Sequence, residues 1–203
     1  FFSTTDILGP GAIVMNVGFP LPRAADVEPK DDGQWGISTK WQVGDATELG
    51  LYHINYHEKN PVGVNIAPTF SDYRVFYPED IKMTAASFST QLVGTAFSGE
   101  VSFRQDAGVN INAPNATPGR ADAIQANLNF TRLILPTAAW DTLTLVGEVS
   151  WLQLQDVEPI VIGPNSFDTP SNGHTAAAYQ MLAQFGYQQV FPGWDLTVSF
   201  VAA

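Results

Sequence analysis

SGEVSFRQD at residues 98–106 and VGEVSWLQL at residues 146–154 share the tetrapeptide Gly-Glu-Val-Ser. Its copies start at Gly99 and Gly147, and each is followed by an aromatic residue, Phe103 or Trp151. In the first copy Phe97, Val101 and Phe103 alternate with Ser98, Glu100, Ser102 and Arg104. In the second, Leu143, Leu145, Val149 and Trp151 alternate with Thr144, Glu148 and Ser150. Such period-two patterning marks a strand with two unlike faces. The repeat predicts equivalent strands of successive membrane-spanning β-hairpins, each turning its glutamate away from lipid.

Composition supports a membrane β-protein over the other classes. Charged residues make up 14% of the 203 positions, against roughly 25% in a typical soluble domain. Apolar residues make up an ordinary 45%, with no run near the ~18 residues of a transmembrane helix. A barrel spreads its apolar residues over every second position instead. Nine Lys+Arg against twenty Asp+Glu give a net charge of −11, which argues against a nucleic-acid partner. With no cysteine, disulfides and thiolate metal sites are excluded.

The same alternation recurs along the chain. Trp35, Ile37, Thr39, Trp41 and Val43 alternate with Gly36, Ser38, Lys40 and Gln42. Tyr52, Ile54 and Tyr56 alternate with His53, Asn55 and His57, and here the apolar parity is assigned to the tyrosines. Residues 80–92 are less regular. Further strands are predicted around 124–131, 179–188 and 196–200, making eight with the two GEVS copies. Short connections fall near 44–47, 93–95, 135–140 and 192–194. Long ones, rich in Pro, Gly, Asn and Asp, fall at 59–79, 106–121 and 155–175. Short turns on one side and long loops on the other suit an outer-membrane barrel.

The predicted fold is therefore all-β: an antiparallel up-and-down transmembrane β-barrel with about eight strands visible. The whole of 1–203 is one part of a single barrel domain, with 1–34 an outer loop or extended segment and 35–203 the hairpins. Barrels begin and end on the periplasmic side. The direction of travel thus predicts a further strand before residue 1 and another after Ala203, making this a fragment of a larger barrel.

A soluble lectin-like sandwich or lipocalin-like barrel binding a small ligand would alternate in the same way, with its apolar face inward. Charge placement favours the membrane. A lipid-facing charge at mid-bilayer costs about 2–4 kcal/mol, and Lys40, Glu100, Arg104 and Glu148 all fall on the polar parity. Arg132, Lys82 and Glu58 fall on the apolar parity, but near strand ends, where that cost drops and long side chains can snorkel.

Candidate lumen-lining residues are Lys40, His53, His57, Glu100, Arg104, Glu148, Gln180, Gln184 and Gln188. The charged members could set ion selectivity or brace the interior as a salt-bridge network. His53 and His57 are spaced as a helical metal pair, but on a strand they stand ~13 Å apart, so no metal site is expected. Trp35, Trp140, Trp151 and Trp194 are aromatic-girdle candidates. Trp140 and Trp194 come from the related turns LPTAAWD and FPGWD. The acidic run Asp26, Glu28, Asp31 and Asp32 is read as a solvated loop, with calcium or cation-bridged lipopolysaccharide as the alternative. LGPG at 8–11 is too sparse for a phosphate loop. No nucleophile motif frames the serines, or His174, the only loop histidine, so no enzyme, catalytic residue or cofactor is expected.

Several stretches, among them FFSTTDILGPG, VGFPLP, DDGQWGISTKW, ELGLYHINYHEKNP, YPEDIKMTAASFST and SGEVSFRQD, together resemble the domain-of-unknown-function family 1302. Its members are proteobacterial proteins taken to be outer-membrane β-barrels, with chains more than twice this length. The resemblance implies a bacterial outer-membrane location with bilayer lipid and lipopolysaccharide as surroundings. It also implies a channel or transport role for small hydrophobic compounds, and it carries no catalytic residues.

Overall fold

Glycine-containing turns and β-branched or aromatic runs divide the chain into strands, with no helix among the described residues. A computed structural model describes residues 14–16, 19–26, 28–67, 69–114 and 117–203. In chain order the strands are β1 (Val14–Asn16), β2 (Pro20–Pro22), β3 (Trp35–Val43), β4 (Thr47–Tyr56), β5 (Gly63–Ile66), β6 (Tyr73–Phe76) and β7 (Ile81–Leu92). They continue with β8 (Thr95–Asn110), β9 (Pro118–Ile134), β10 (Thr142–Gln155), β11 (Ile160–Ile162), β12 (Asn165–Phe167), β13 (Thr175–Phe191) and β14 (Trp194–Ala202).

Eight of these form one antiparallel sheet in the order β14-β13-β10-β9-β8-β7-β4-β3. They are the eight strands expected from the alternation, each paired with its sequential neighbour. The sheet is not closed: β3 and β14 are its edges. The other six strands form three two-stranded hairpins, β1–β2, β5–β6 and β11–β12.

All connections between sheet strands at one end are short. β3–β4, β7–β8 and β13–β14 turn through Gly44, Gly94 and Gly193, which adopt φ values of 63°, 73° and 81°. Only glycine takes such values without strain. At the opposite end, the β5–β6 and β11–β12 hairpins are carried by the long connections. The connection expected at 106–121 is shorter than the sequence suggested. β8 runs on to Asn110 and β9 starts at Pro118, because Val109–Gly119 and Asn110–Pro118 continue the ladder. Pro, Gly and Asn in that stretch resembled loop, but a two-stranded ladder satisfies its backbone groups equally well.

The fully buried side chains gather at the long-connection end. Leu21 and Tyr73 are fully buried there, with Val64 and Ile66 packed against them. Pro78, Ile81 and Ile111 are also fully buried. Three connections are knitted together at this end. Arg120 Nη1 donates to the Glu79 carbonyl at 2.7 Å, Asn110 Nδ2 to the Val62 carbonyl at 2.9 Å, and the Asn112 amide to the Thr169 carbonyl at 2.7 Å. The result is a cap on one end of an open sheet.

Candidate functional site

Cross-strand partners share a face, so the register assigns each candidate. One row runs Gln180, Glu148, Asn129, Ser98, Ser89, Glu48, Gln42 across seven strands. The next runs Ser150, Asn127, Glu100, Ser87, Gly50, Lys40. The two GEVS strands are parallel in sense, each antiparallel to β9. Their glutamates share this polar face but sit one row apart, Glu100 level with Ser150 and Glu148 level with Ser98. Phe103 and Trp151 lie on the opposite face.

Lys40 on β3 and Glu148 on β10 line one cavity of about 350 Å³ together with Glu48, Tyr52, Glu100 and Asn129. These strands stand five positions apart, roughly 24 Å in a flat sheet at ~4.8 Å per strand. A shared cavity of this size therefore means that the sheet curls with its polar face inside. Lys40 Nζ lies 2.8 Å from Glu48 Oε1, and Ser98 Oγ donates to Asn129 Oδ1. Glu100 and Glu148 have no ion-pair partner among the described residues. The cavity is thus left with uncompensated negative charge. A bracing network of Lys40, Glu100, Arg104 and Glu148 does not form among the described residues: Lys40 pairs with Glu48, and Arg104 bonds Gln125 instead.

Two histidines depart from expectation. His53 pairs with Ile37 and Thr84, which puts it on the apolar face. Its ring packs against Trp35, tilted by 47° at 5.4 Å between centroids, and Nδ1 lies 2.9 Å from Thr84 Oγ1. Tyr52 and Ile54 occupy the polar face instead. The cue lay in Leu49 and Leu51, which flank Glu48 and Gly50 and fix the phase of β4. His57 is not on the sheet at all. It is buried in the cap, where Nδ1 accepts the Asp80 amide at 3.0 Å and Nε2 donates to the Asp32 carbonyl at 2.8 Å. Gln180 and Gln184 share the polar face. Gln188 has the same parity but lies at the β13 bulge between Tyr187 and Phe191.

The opposite face carries Trp35, Ile37, Leu49, Val101, Leu128, Val149, Trp151, Tyr179 and Phe200, and all of them are solvent-exposed. Ile37 is 67% and Phe200 62% exposed, so nothing among the described residues covers that face. Trp41, Trp140 and Trp194 lie towards the short-turn end, and Trp35 and Trp151 towards the cap. Trp140 packs on Phe185 at 5.6 Å, and Phe185 on Phe200 at 5.9 Å. The repeated Trp-Asp pairs have a structural use that the sequence did not suggest. The Gln188 amide donates to Asp141 Oδ2 at 2.6 Å and the Gln189 amide to Asp195 Oδ1 at 2.9 Å. Both aspartates therefore brace the bulge, where Gln189 has a positive φ of 50°.

Nearer the cap the polar face turns apolar. The row through Arg104 reads Gly36, Ile54, Met83, Arg104, Ala123, Leu154. A second cavity of about 250 Å³ adjoins it, lined by Val62, Val109, Leu152, Leu154, Pro170 and His174 among others. In the cap, Arg23 holds the Asp26 carboxyl below its usual value, chiefly by hydrogen bonding. Lys30 does the same for Asp80. Among the described residues, no group of three or more His, Cys, Asp or Glu side chains is placed to hold a metal ion. The LGPG stretch lies outside the described residues.

No curated protein and no solved structure matches the chain. The sequence model of one family, described as "Protein of unknown function (DUF1302)", matches residues 1–203. The repeated strands, the cap motifs and the aromatic turns thus all fall inside one matched unit, and the chain belongs to the DUF1302 family.

Proposed function

We propose that the chain is part of the wall of an outer-membrane β-barrel that serves as a channel or uptake route for small hydrophobic solutes. One observation carries this reading. A face of exposed Trp, Leu, Val and Phe runs unbroken across eight strands, while the opposite face holds Lys40, Glu48, Glu100 and Glu148. In water such a face is an aggregation surface. In a bilayer it meets a matched solvent, and the strand ladder satisfies the backbone groups that lipid cannot. The strands of 9–17 residues suffice for a tilted crossing of ~9–11 residues. Short turns at one end and a loop cap at the other fit the outer-membrane pattern. The curled polar face would line the route, and the cap-side cavity offers apolar contact at its mouth.

The test is the behaviour of the full-length protein. We expect it to need detergent, to migrate differently on gels before and after heating, and to give discrete conductance steps in planar bilayers. A protein that stays monodisperse in plain buffer and never raises bilayer conductance would overturn the proposal.

A further inference from the structure

We infer that Arg104 anchors the head group of an amphipathic monocarboxylate whose apolar body lies in the cap-side cavity. The inference rests on the uptake-barrel reading and adds a solute class to it.

Arg104 is the one charged residue of its row, between Met83 and Ala123 and level with Ile54 and Leu154. Its guanidinium has five N–H donors. One, on Nη2, reaches Gln125 Oε1, a neutral acceptor. Nε is shielded from solvent and has no hydrogen-bond partner among the described residues. No carboxylate lies within ion-pair distance of it among them. A half-buried cation with unmet donors in an apolar row is costly unless an anion completes it. A carboxylate accepting two parallel N–H bonds matches the guanidinium fork.

The backbone next to Arg104 supplies an independent observation. The β8–β9 register slips between Arg104 and Ala107. Asp106 inside that bulge has φ of 60°. It is held by its backbone N–H, which donates to Asp122 Oδ1 at 3.2 Å, and by Arg120 Nη1, which donates to its carbonyl at 3.3 Å. Bulges and braced positive-φ residues gather at functional sites, where they re-aim side chains. This one has a visible effect. Beyond it Ala107 and Val109 pair with Ala121 and Gly119, so β8 changes parity and presents apolar residues on the face that Arg104 occupies.

The cavity gives the length and character of the rest of the ligand. Leu154 lines it and lies two strands from Arg104 in the same row, roughly 10 Å away at ~4.8 Å per strand. A head group on Arg104 therefore places a chain of several methylenes among Leu152, Leu154 and Val109. Unpaired Glu100, four residues along β8, disfavours a doubly charged head such as a phosphate monoester.

The experiment uses the purified full-length protein in detergent with dodecanoate and dodecanol as probes, read by tryptophan fluorescence and calorimetry. Wild type should bind dodecanoate at least tenfold more tightly than dodecanol, despite the chain's net charge of −11. Arg104→Gln should lose that preference and keep dodecanol binding, and Arg104→Lys should retain part of it. Heat-modifiable mobility checks that each variant is folded. If Arg104→Gln fails to fold, the wild-type preference and the Arg104→Lys value decide. Equal binding of the two probes by wild type, or an unchanged preference in Arg104→Lys and Arg104→Gln, would sink the anchor. If that happens while the wild type still conducts in bilayers, only the anchor falls. If the wild type neither inserts nor conducts, the barrel reading falls with it.

Discussion

Gly99 and Gly147 open the two repeated tetrapeptides, and each lies beneath a phenylalanine ring from the neighbouring strand. A β-carbon at Gly99 would stand 2.5 Å from the Phe88 ring, and one at Gly147 would collide with the Phe130 ring. The repeat therefore encodes an aromatic ring laid over a glycine as well as a glutamate on the polar face. We expect Gly99→Ala and Gly147→Ala each to cost about 1–3 kcal/mol through overpacking. Phe130→Leu should relieve much of the second cost. Denaturant midpoints of the single and double variants check this, and additive losses would mean that the ring is not the cause. The spacing of GEVS was plain in the sequence. The glycine–ring contact was not, because it joins residues on adjacent strands.

At the scale of elements, the register turns the repeat into a statement about two faces. Glu100 and Glu148 line one cavity, while Phe103 and Trp151 lie on the side exposed across all eight strands. Trp151→Lys should impair membrane insertion by about 2–4 kcal/mol if its site is near mid-bilayer. Glu148→Gln should fold as wild type and lower cation preference in bilayers, because it removes a charge that has no ion-pair partner among the described residues. The readouts are heat-modifiable mobility for the first and reversal potential for the second. Normal folding of Trp151→Lys with failure of Glu148→Gln would mean that the faces are inverted. β4 shows how the faces can be misread from sequence. Tyr52, Ile54 and Tyr56 mask the phase that Leu49 and Leu51 set, and across the β3 ladder Tyr52 pairs with Ser38 and Gly50 with Lys40, which puts Tyr52 on the polar side.

For the whole molecule, the cap carries the largest fully buried side chains, and the sheet carries an exposed apolar face opposite its curled polar one. The cap also has the more defined electrostatics. The Asp26 carboxyl is lowered by Arg23, whose guanidinium bonds both of its oxygens. A carboxylate depressed in the folded state adds stability above its ordinary value of 3.8, and that stability is lost as pH falls through the lower folded value. We expect amide-exchange protection of 20–26 and 73–76 to be level from pH 5 to 8 and to fall below about pH 4. Asp26→Asn should flatten that fall and cost about 1 kcal/mol at neutral pH, since the pair is only partly buried. Protection that instead fell between pH 6 and 8 would point away from Asp26. The sequence alone determined the eight meandering strands, the glycine turns at one end and the polar parity of both GEVS copies. These follow from neighbours along one chain, through the period of two and the turn chemistry of glycine and proline. Tertiary structure alone decided that the sheet stays open at β3 and β14, that Lys40 pairs with Glu48, that His53 faces the apolar side and His57 leaves the sheet, and that three connections close into a cap. Each of those depends on register or on contacts between distant strands, and a one-residue slip in register reverses a face without changing the local pattern.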